Sequence, residues 1–371
     1  MRRSILLRCA ILSRTHVKRD RPPLSETKLD VSGYAALVGK DLPQPEQFNY
    51  EVTRDGIRHF AYCIPDSNAL YLDEEYAATT RWRGIIAPPG YLYSHGSPAW
   101  LGRMPGLKGP NGQELTGSDN ATEAWEFLRP VRPGDTVLSY GKIAAIEPKK
   151  SRKLGDAILV NEEMRFTNQQ GEIVARLNSY TFRFDRERVA DAGTIAQNYP
   201  PLAPGQFTRN VATSPALPGT VPTPVRRYDA PRYFEDITEG EQVSSWELGP
   251  LMAFDIGRFN AATLGTGFDR IGRTEHVPDT FAPGVLRIQW FGAMLTRWAG
   301  PNAFVTRISQ RNEDWVLVGF KVICSGRVTR KSVVDCRHLV DVDIACHSEL
   351  GFRTNSGTAQ MEFETRDRLR A

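Results

Sequence analysis

Between residues 195 and 232 the chain carries eight prolines: Pro200, Pro201, Pro204, Pro215, Pro218, Pro222, Pro224 and Pro231. Each removes a backbone donor and biases the residue before it away from the helical region. A segment built this way cannot be a central strand or a long helix. It reads as an extended crossover that divides the 371 residues into two bodies of domain size. The expected organisation is a basic arm over 1–28, a first domain over 29–194, the linker over 195–232 and a second domain over 233–371. With 40% apolar and 24% charged residues, both flanks can bury a core.

The flanks echo one another. Each opens on a mixed segment leading into a helix, Thr53–Ala61 in the first and Phe254–Ala262 in the second. Each closes on strand-like runs rich in β-branched and aromatic residues. In the first these are TVLSYGKIAAIE and AILVNEEMRFTNQQGEIVARLNSYTFRF; in the second, WVLVGFKVICSGRVT and HLVDVDIACHSELGFRTNSGTAQMEF. Turns are expected at Asn168–Gly171 and Asn355–Gly357. Gly141 with Gly319 and Gly171 with Gly351 suggest a repeated sheet domain. The run Gly284–Gly300 reads as a helix whose apolar stripe holds Leu286, Trp290, Met294, Leu295 and Trp298, with Arg287 and Arg297 free to leave it. A second helix is expected near 75–98. Long helices wrapped by antiparallel sheet would cover both apolar faces.

Several function classes fall away. The first 23 residues hold seven basic side chains and one acid, although the whole chain carries only +4. The body is thus near neutral and presents no clustered basic face for nucleic acid. The basic start imitates a presequence, but Arg8 and Cys9 break its apolar run and no Ala-x-Ala site follows. Five scattered cysteines without a CxxC argue against a disulfide framework or structural zinc and suit a reducing cytoplasm. No apolar stretch reaches about 20 residues, so no stable membrane insertion is expected. Phosphate-loop, zinc-protease and nucleophile-elbow motifs are missing.

Two segments do match a known pattern. Pro65-Asp66-Ser67-Asn68-Ala69-Leu70-Tyr71-Leu72-Asp73, followed by Ile86-Ala87-Pro88-Pro89, resembles the N-terminal domain of the MaoC-like acyl dehydratases, a FAS1-like dehydratase domain. YFEDITEGE, Arg258–Ala262 and LRIQWFGAMLTRWAG resemble their second, degenerate MaoC-like half. The resemblance covers most of residues 30–365. It implies an α+β double hotdog: two curved antiparallel sheets, each packed around a long central helix. It also implies hydration or dehydration of an acyl thioester, interconverting 2-enoyl and 3-hydroxyacyl forms. The implied partner is acyl-CoA or another acyl thioester, with a homodimer or a related hotdog subunit as the protein partner, and with no metal and no cofactor.

The chemistry needs an acid/base group within reach of both the water and the α-carbon proton, and donors for the charge on the thioester oxygen. In the first copy Asp66 and Asn68 match the motif, but Tyr71 stands where a histidine is expected. A phenol is a poor base at neutral pH. In the second copy the aspartate position falls on Thr266 or, after a shift, on Asp269. His276 is the nearest imidazole, with Glu275 beside it. The catalytic candidates are therefore Asp269, His276 and Asp66. Asn68, Tyr71, Gly90, Thr280, Gly284 and Arg287 are the substrate-binding candidates. Gly90 and Gly284 would let a carbonyl approach helix-start N–H groups, and Arg287, Arg81 and Arg83 suit phosphate oxygens. Two other readings stay open: a non-catalytic thioester-binding paralogue or subunit that needs a partner, and a hotdog thioesterase.

Overall fold

The computed structural model describes residues 38–41, 47–96, 115, 117–151, 154–185, 225–227, 231–263 and 281–366. The expected strand runs form β1 (Gly117–Phe127), β2 (Leu138–Ser151), β3 (Gly155–Thr167) and β4 (Ile173–Phe184) in the first half. The second half holds β5 (Gln242–Leu248), β6 (Ala303–Asn312), β7 (Val322–Val334), β8 (Arg337–Ser348) and β9 (Arg353–Phe363). Helices are α1 (Arg54–Cys63), α2 (Ala69–Leu72), α3 (Glu74–Thr79), α4 (Ala253–Thr263) and α5 (Gly284–Ala299), with short 3₁₀ turns at Tyr91–Ser94 and Phe234–Asp236. None of the described helices is long and apolar enough to cross a membrane.

The expectation of two separate sheets is corrected. All nine strands form one antiparallel sheet in the order β2-β3-β4-β1-β6-β9-β8-β7-β5. The halves join where β1 pairs β6, from Thr122 opposite Arg311 to Glu126 opposite Arg307. Fusing the sheets leaves neither β1 nor β6 as a bare edge. The second expected helix is also corrected. Over 75–96, the described part of that span, the chain forms the rest of α3 and the turn Tyr91–Ser94. Pro88 and Pro89 lie between them, and Gly84 and Gly90 sit at φ +155° and +79°. The second-half helix spans Gly284–Ala299 as read, but only Val285 and Arg297 escape full burial. Arg287 does not leave the core face.

The repeat is real in the backbone. β1 to β4 correspond to β6 to β9, and α1 packs on α4 with the Phe60 and Phe259 rings 6.2 Å apart. Gly171 and Gly351 close matching hairpins at φ +76° and +85°. Gly141 matches Gly326 rather than Gly319, because it faces Met164 as Gly326 faces Ile344 at the equivalent place. Irregularities in the β2–β3 and β7–β8 ladders shift the count that sequence spacing suggested. The two pre-helix segments are also tied alike: Ala87 N–H bonds the Val131 carbonyl and Ala282 N–H bonds that of Val316, each at 2.8 Å. A cross-strand disulfide joins Cys324 and Cys346, which sit opposite each other on β7 and β8. Cysteine spacing alone gave no sign of that pairing.

Candidate functional site

The first-half motif folds as a chain of local caps. The Asp66 Oδ1 accepts the Asn68 N–H at 3.1 Å, and the Asn68 Oδ1 accepts the Leu70 N–H at 3.0 Å, which starts α2. Residues 225–227 run alongside: Ala69 N–H bonds the Arg226 carbonyl, and Arg226 N–H bonds that of Ser67. Asp66 and Asn68 are each 1% exposed. Burial pushes the Asp66 carboxyl up to about 7, against the pull of Arg297 and Arg226. Its Oδ2 has no hydrogen-bond partner among the described residues. Tyr71 and Gly90 meet on a cavity of about 40 Å³ between the first-half loop and the C-terminal end of α5, lined also by Leu70, Ile86, Pro89 and Thr296. That volume suits a water, not an acyl chain.

Gly90 holds φ +79°, and a Cβ there would land on the Gln289 amide of α5. Gly90→Ala should therefore cost roughly 2 kcal/mol from backbone strain and overpacking. A fall in the thermal unfolding midpoint at unchanged secondary structure would register it.

Gly284 and Arg287 belong to a different place. Gly284 begins α5 after Pro283, with no side-chain cap. Arg287 is 3% exposed, and its guanidinium bonds the carbonyls of Ala282, Asp314 and Thr354. Asp269, His276 and Thr280 lie outside the described residues.

The start of α5 rests on buried polar side chains that the sequence reading missed. One row of residues crosses all nine strands on the helix-facing side: Ile143, Glu162, Ser179, Glu123, Gln310, Gly357, Ile344, Gly326 and Val243. Its second to fifth members, Glu162, Ser179, Glu123 and Gln310, are polar and at most 2% exposed. The Tyr93 hydroxyl donates to the Glu123 Oε1 at 2.5 Å, and the Asn120 amide donates to the same oxygen at 3.1 Å. The Glu123 Oε2 has no hydrogen-bond partner among the described residues. Gln310, directly across the seam, donates to the Gly284 carbonyl at 2.6 Å and accepts from Asn355. A Cβ on Gly284 would touch Asn120 and Asn312. Beside them opens a cleft of about 700 Å³, lined by Asn120, Asn312, Arg287, Tyr180, Phe182 and Trp315.

Burial lifts both carboxyls, Glu123 to about 7 and Glu162 to about 7. Tyr93 is held well above the usual phenol range, by burial first and by Glu123 second. A second missed group is His95, fully buried, with Nδ1 3.0 Å from the Ser94 hydroxyl and Nε2 without a hydrogen-bond partner among the described residues. Burial pushes it down to about 4, so the imidazole is neutral at pH 7. One signal pointed to Glu123 and Glu162. Each shares the strand face of large apolar neighbours, Trp125 and Phe127 in β1, Val160 and Met164 in β3.

Residues 36–177 match the family described as the FAS1-like, dehydratase domain region. Among curated proteins, the chain is 30% identical over 161 residues to the "Probable enoyl-CoA hydratase alpha subunit" of Thermomonospora curvata, covering 40% of this chain and 50% of that protein. The chain thus spans half the length of that relative. It is 32% identical over 113 residues to a UPF0336 protein of Streptomyces coelicolor, covering 30% of this chain and 72% of that one. Among solved structures, a MaoC-like dehydratase superposes with a TM-score of 0.64 at 17% identity, covering 89% of this chain and 99% of that one. A Mycobacterium tuberculosis protein described as having a double hotdog fold gives 0.57 at 14% identity, covering 88% and 95%.

Proposed function

We propose, because this chain belongs to the MaoC-like family of hotdog dehydratases, that it interconverts 2-enoyl and 3-hydroxyacyl thioesters, with acyl-CoA as the substrate class. The observation that carries this reading is the start of α5. The one helix of 16 residues among those described opens onto polar side chains buried in the seam between the halves. A core built for stability alone has little use for such groups. A thioester oxygen set at the Gly284 amide would be stabilised by the helix start as charge develops on it. Asp66, Asp269 and His276 are the motif-derived candidates for proton transfer. Asn68, Tyr71, Gly90, Thr280, Gly284 and Arg287 are those for substrate contact.

Purified protein is to be assayed with short, medium and bulky 2-enoyl-CoA compounds, following loss of the conjugated enoyl absorbance and free CoA in parallel. Hydration without CoA release is expected. Asp66→Asn, Asp269→Asn and His276→Ala sort the candidates: loss of roughly 10²-fold marks a proton-transfer group. CoA release without hydration would replace this reading with a thioesterase.

A second reading has its own support. Tyr71 occupies the expected imidazole position, and a relative is described as an alpha subunit. On that reading the chain binds the thioester and a partner subunit supplies the chemistry. Tight binding of enoyl-CoA with neither hydration nor CoA release by the isolated chain would favour it.

A further inference from the structure

The geometry points to Glu123 as a catalytic residue: the carboxyl that carries the proton between water and the α carbon, lent by the first half of the chain to a thioester seated at the start of α5. This rests on the hydratase reading above and deepens it.

Three observations converge on Glu123. It is fully buried, and among the described residues it makes no ion pair, an arrangement that costs stability without a compensating charge. Its two oxygens are treated unequally. Oε1 takes donors from Tyr93 and Asn120, and the Gln310 side chain across the seam also favours the ionised carboxyl, whereas Oε2 has no hydrogen-bond partner among the described residues. Most buried carboxyl oxygens in folded proteins have a hydrogen-bond partner. Its neighbours also connect it to the first-half turn and to the start of α5. Tyr93 belongs to the first-half turn that follows Gly90, while Gln310 bonds the Gly284 carbonyl. Asn120 is shared between Glu123 and the cleft.

In the hydration direction Oε2 of the carboxylate removes a proton from water while the water oxygen bonds to the β carbon. The π pair moves to the α carbon and is shared with the thioester oxygen at the Gly284 amide. Oε2 then passes the same proton to the α carbon. The carboxylate is regenerated, and both hydrogens of the water end in the product. Dehydration reverses each step. Tyr93 and Asn120 are positioning residues that fix which oxygen faces the substrate. The other titratable group facing Glu123 is Glu162, across Ser179, with Arg183 beyond it. α5 brings Arg287, whose guanidinium is held by carbonyls.

The test compares the wild type with Glu123→Gln and Tyr93→Phe in the same hydration assay. A saturated acyl-CoA measures binding, and near-ultraviolet circular dichroism measures folding. Glu123→Gln should fold and bind while losing roughly 10²-fold or more in kcat. Should that variant fail to fold, Tyr93→Phe carries the test alone. Tyr93→Phe removes a donor that favours the ionised carboxyl, so the rising limb of the hydration rate should move to higher pH. Glu123→Gln at near wild-type kcat, or an unmoved limb in Tyr93→Phe, overturns the proposal while the hydratase reading stands. A wild type that hydrates none of the enoyl-CoA compounds overturns both.

Discussion

Gly357→Ala should leave no stably folded protein. Gly357 sits in β9 opposite Gln310, and a Cβ there would land on the carbonyl oxygen and carbon of Ser309 in β6. Those are backbone atoms of a strand held on its other side by β1. They cannot retreat as the end of a flexible side chain would. Relief requires breaking the β6–β9 ladder beside the seam, so the cost should exceed about 4 kcal/mol, in the range reserved for severe lesions. Gly351→Ala is the control. It has a positive φ of 85° but open space around the added atom. It should cost about 1 kcal/mol. Urea unfolding of both variants, or the soluble yield of the first, reads the difference. Equal midpoints would show that β6 and β9 can part without consequence.

The second large effect is on pH dependence and comes from Glu162. Burial lifts its carboxyl from the usual 4.5 to about 7 in the folded protein. In the unfolded chain the group ionises near its ordinary value. Below about pH 4.5 both states keep the proton, and burial carries no charge penalty. Between there and about pH 7 the unfolded chain releases its proton and the folded chain does not, so stability falls as pH rises. Above that range both are ionised, and the loss is complete at roughly 3 kcal/mol. Glu162→Gln removes this loss and retains an oxygen to accept from the Thr181 hydroxyl at 3.2 Å. The variant should match the parent near pH 4.5 and exceed it by roughly 2–3 kcal/mol at pH 8. Chemical unfolding at the two pH values measures the gap. A gap that is independent of pH would show that Glu162 is not the source.

The strands and α5 were legible because their signals are local: alternation in the strand runs, and a stripe from Leu286 to Trp298. The joining of the halves was not. Nothing in the periodicity of Gly117–Phe127 or Ala303–Asn312 says which edge each seeks, and pairing partners 185 residues apart leave no local trace. The pre-helix glycines were legible as turn residues, and the structure gives Gly90 the positive φ that a turn requires. The helix expected over 75–98 ignored Pro88 and Pro89, whose ring and missing donor interrupt it. At the site, Asp66 and Asn68 were found by motif. Glu123 and Gln310 lie on two strands that only the cross-strand register brings together, and Tyr93 reaches Glu123 from the turn after Gly90. Cys324 and Cys346 were hidden for the same reason.

The seam has a further meaning for the ancestry of the chain. A single half, made alone, would present β1 or β6 as an unpaired edge and would recruit a second copy through it. Tethering both copies in one polypeptide makes that association independent of dilution. It also frees them from having to be identical. The equivalents of Glu123, Ser179 and Glu162 in the second half are Ile308, Ala359 and Val342, joined by the same ladders. A symmetric pair would have to bury those two acids twice over. This chain buries them once, and the duplicate supplies hydrocarbon in the mirrored positions.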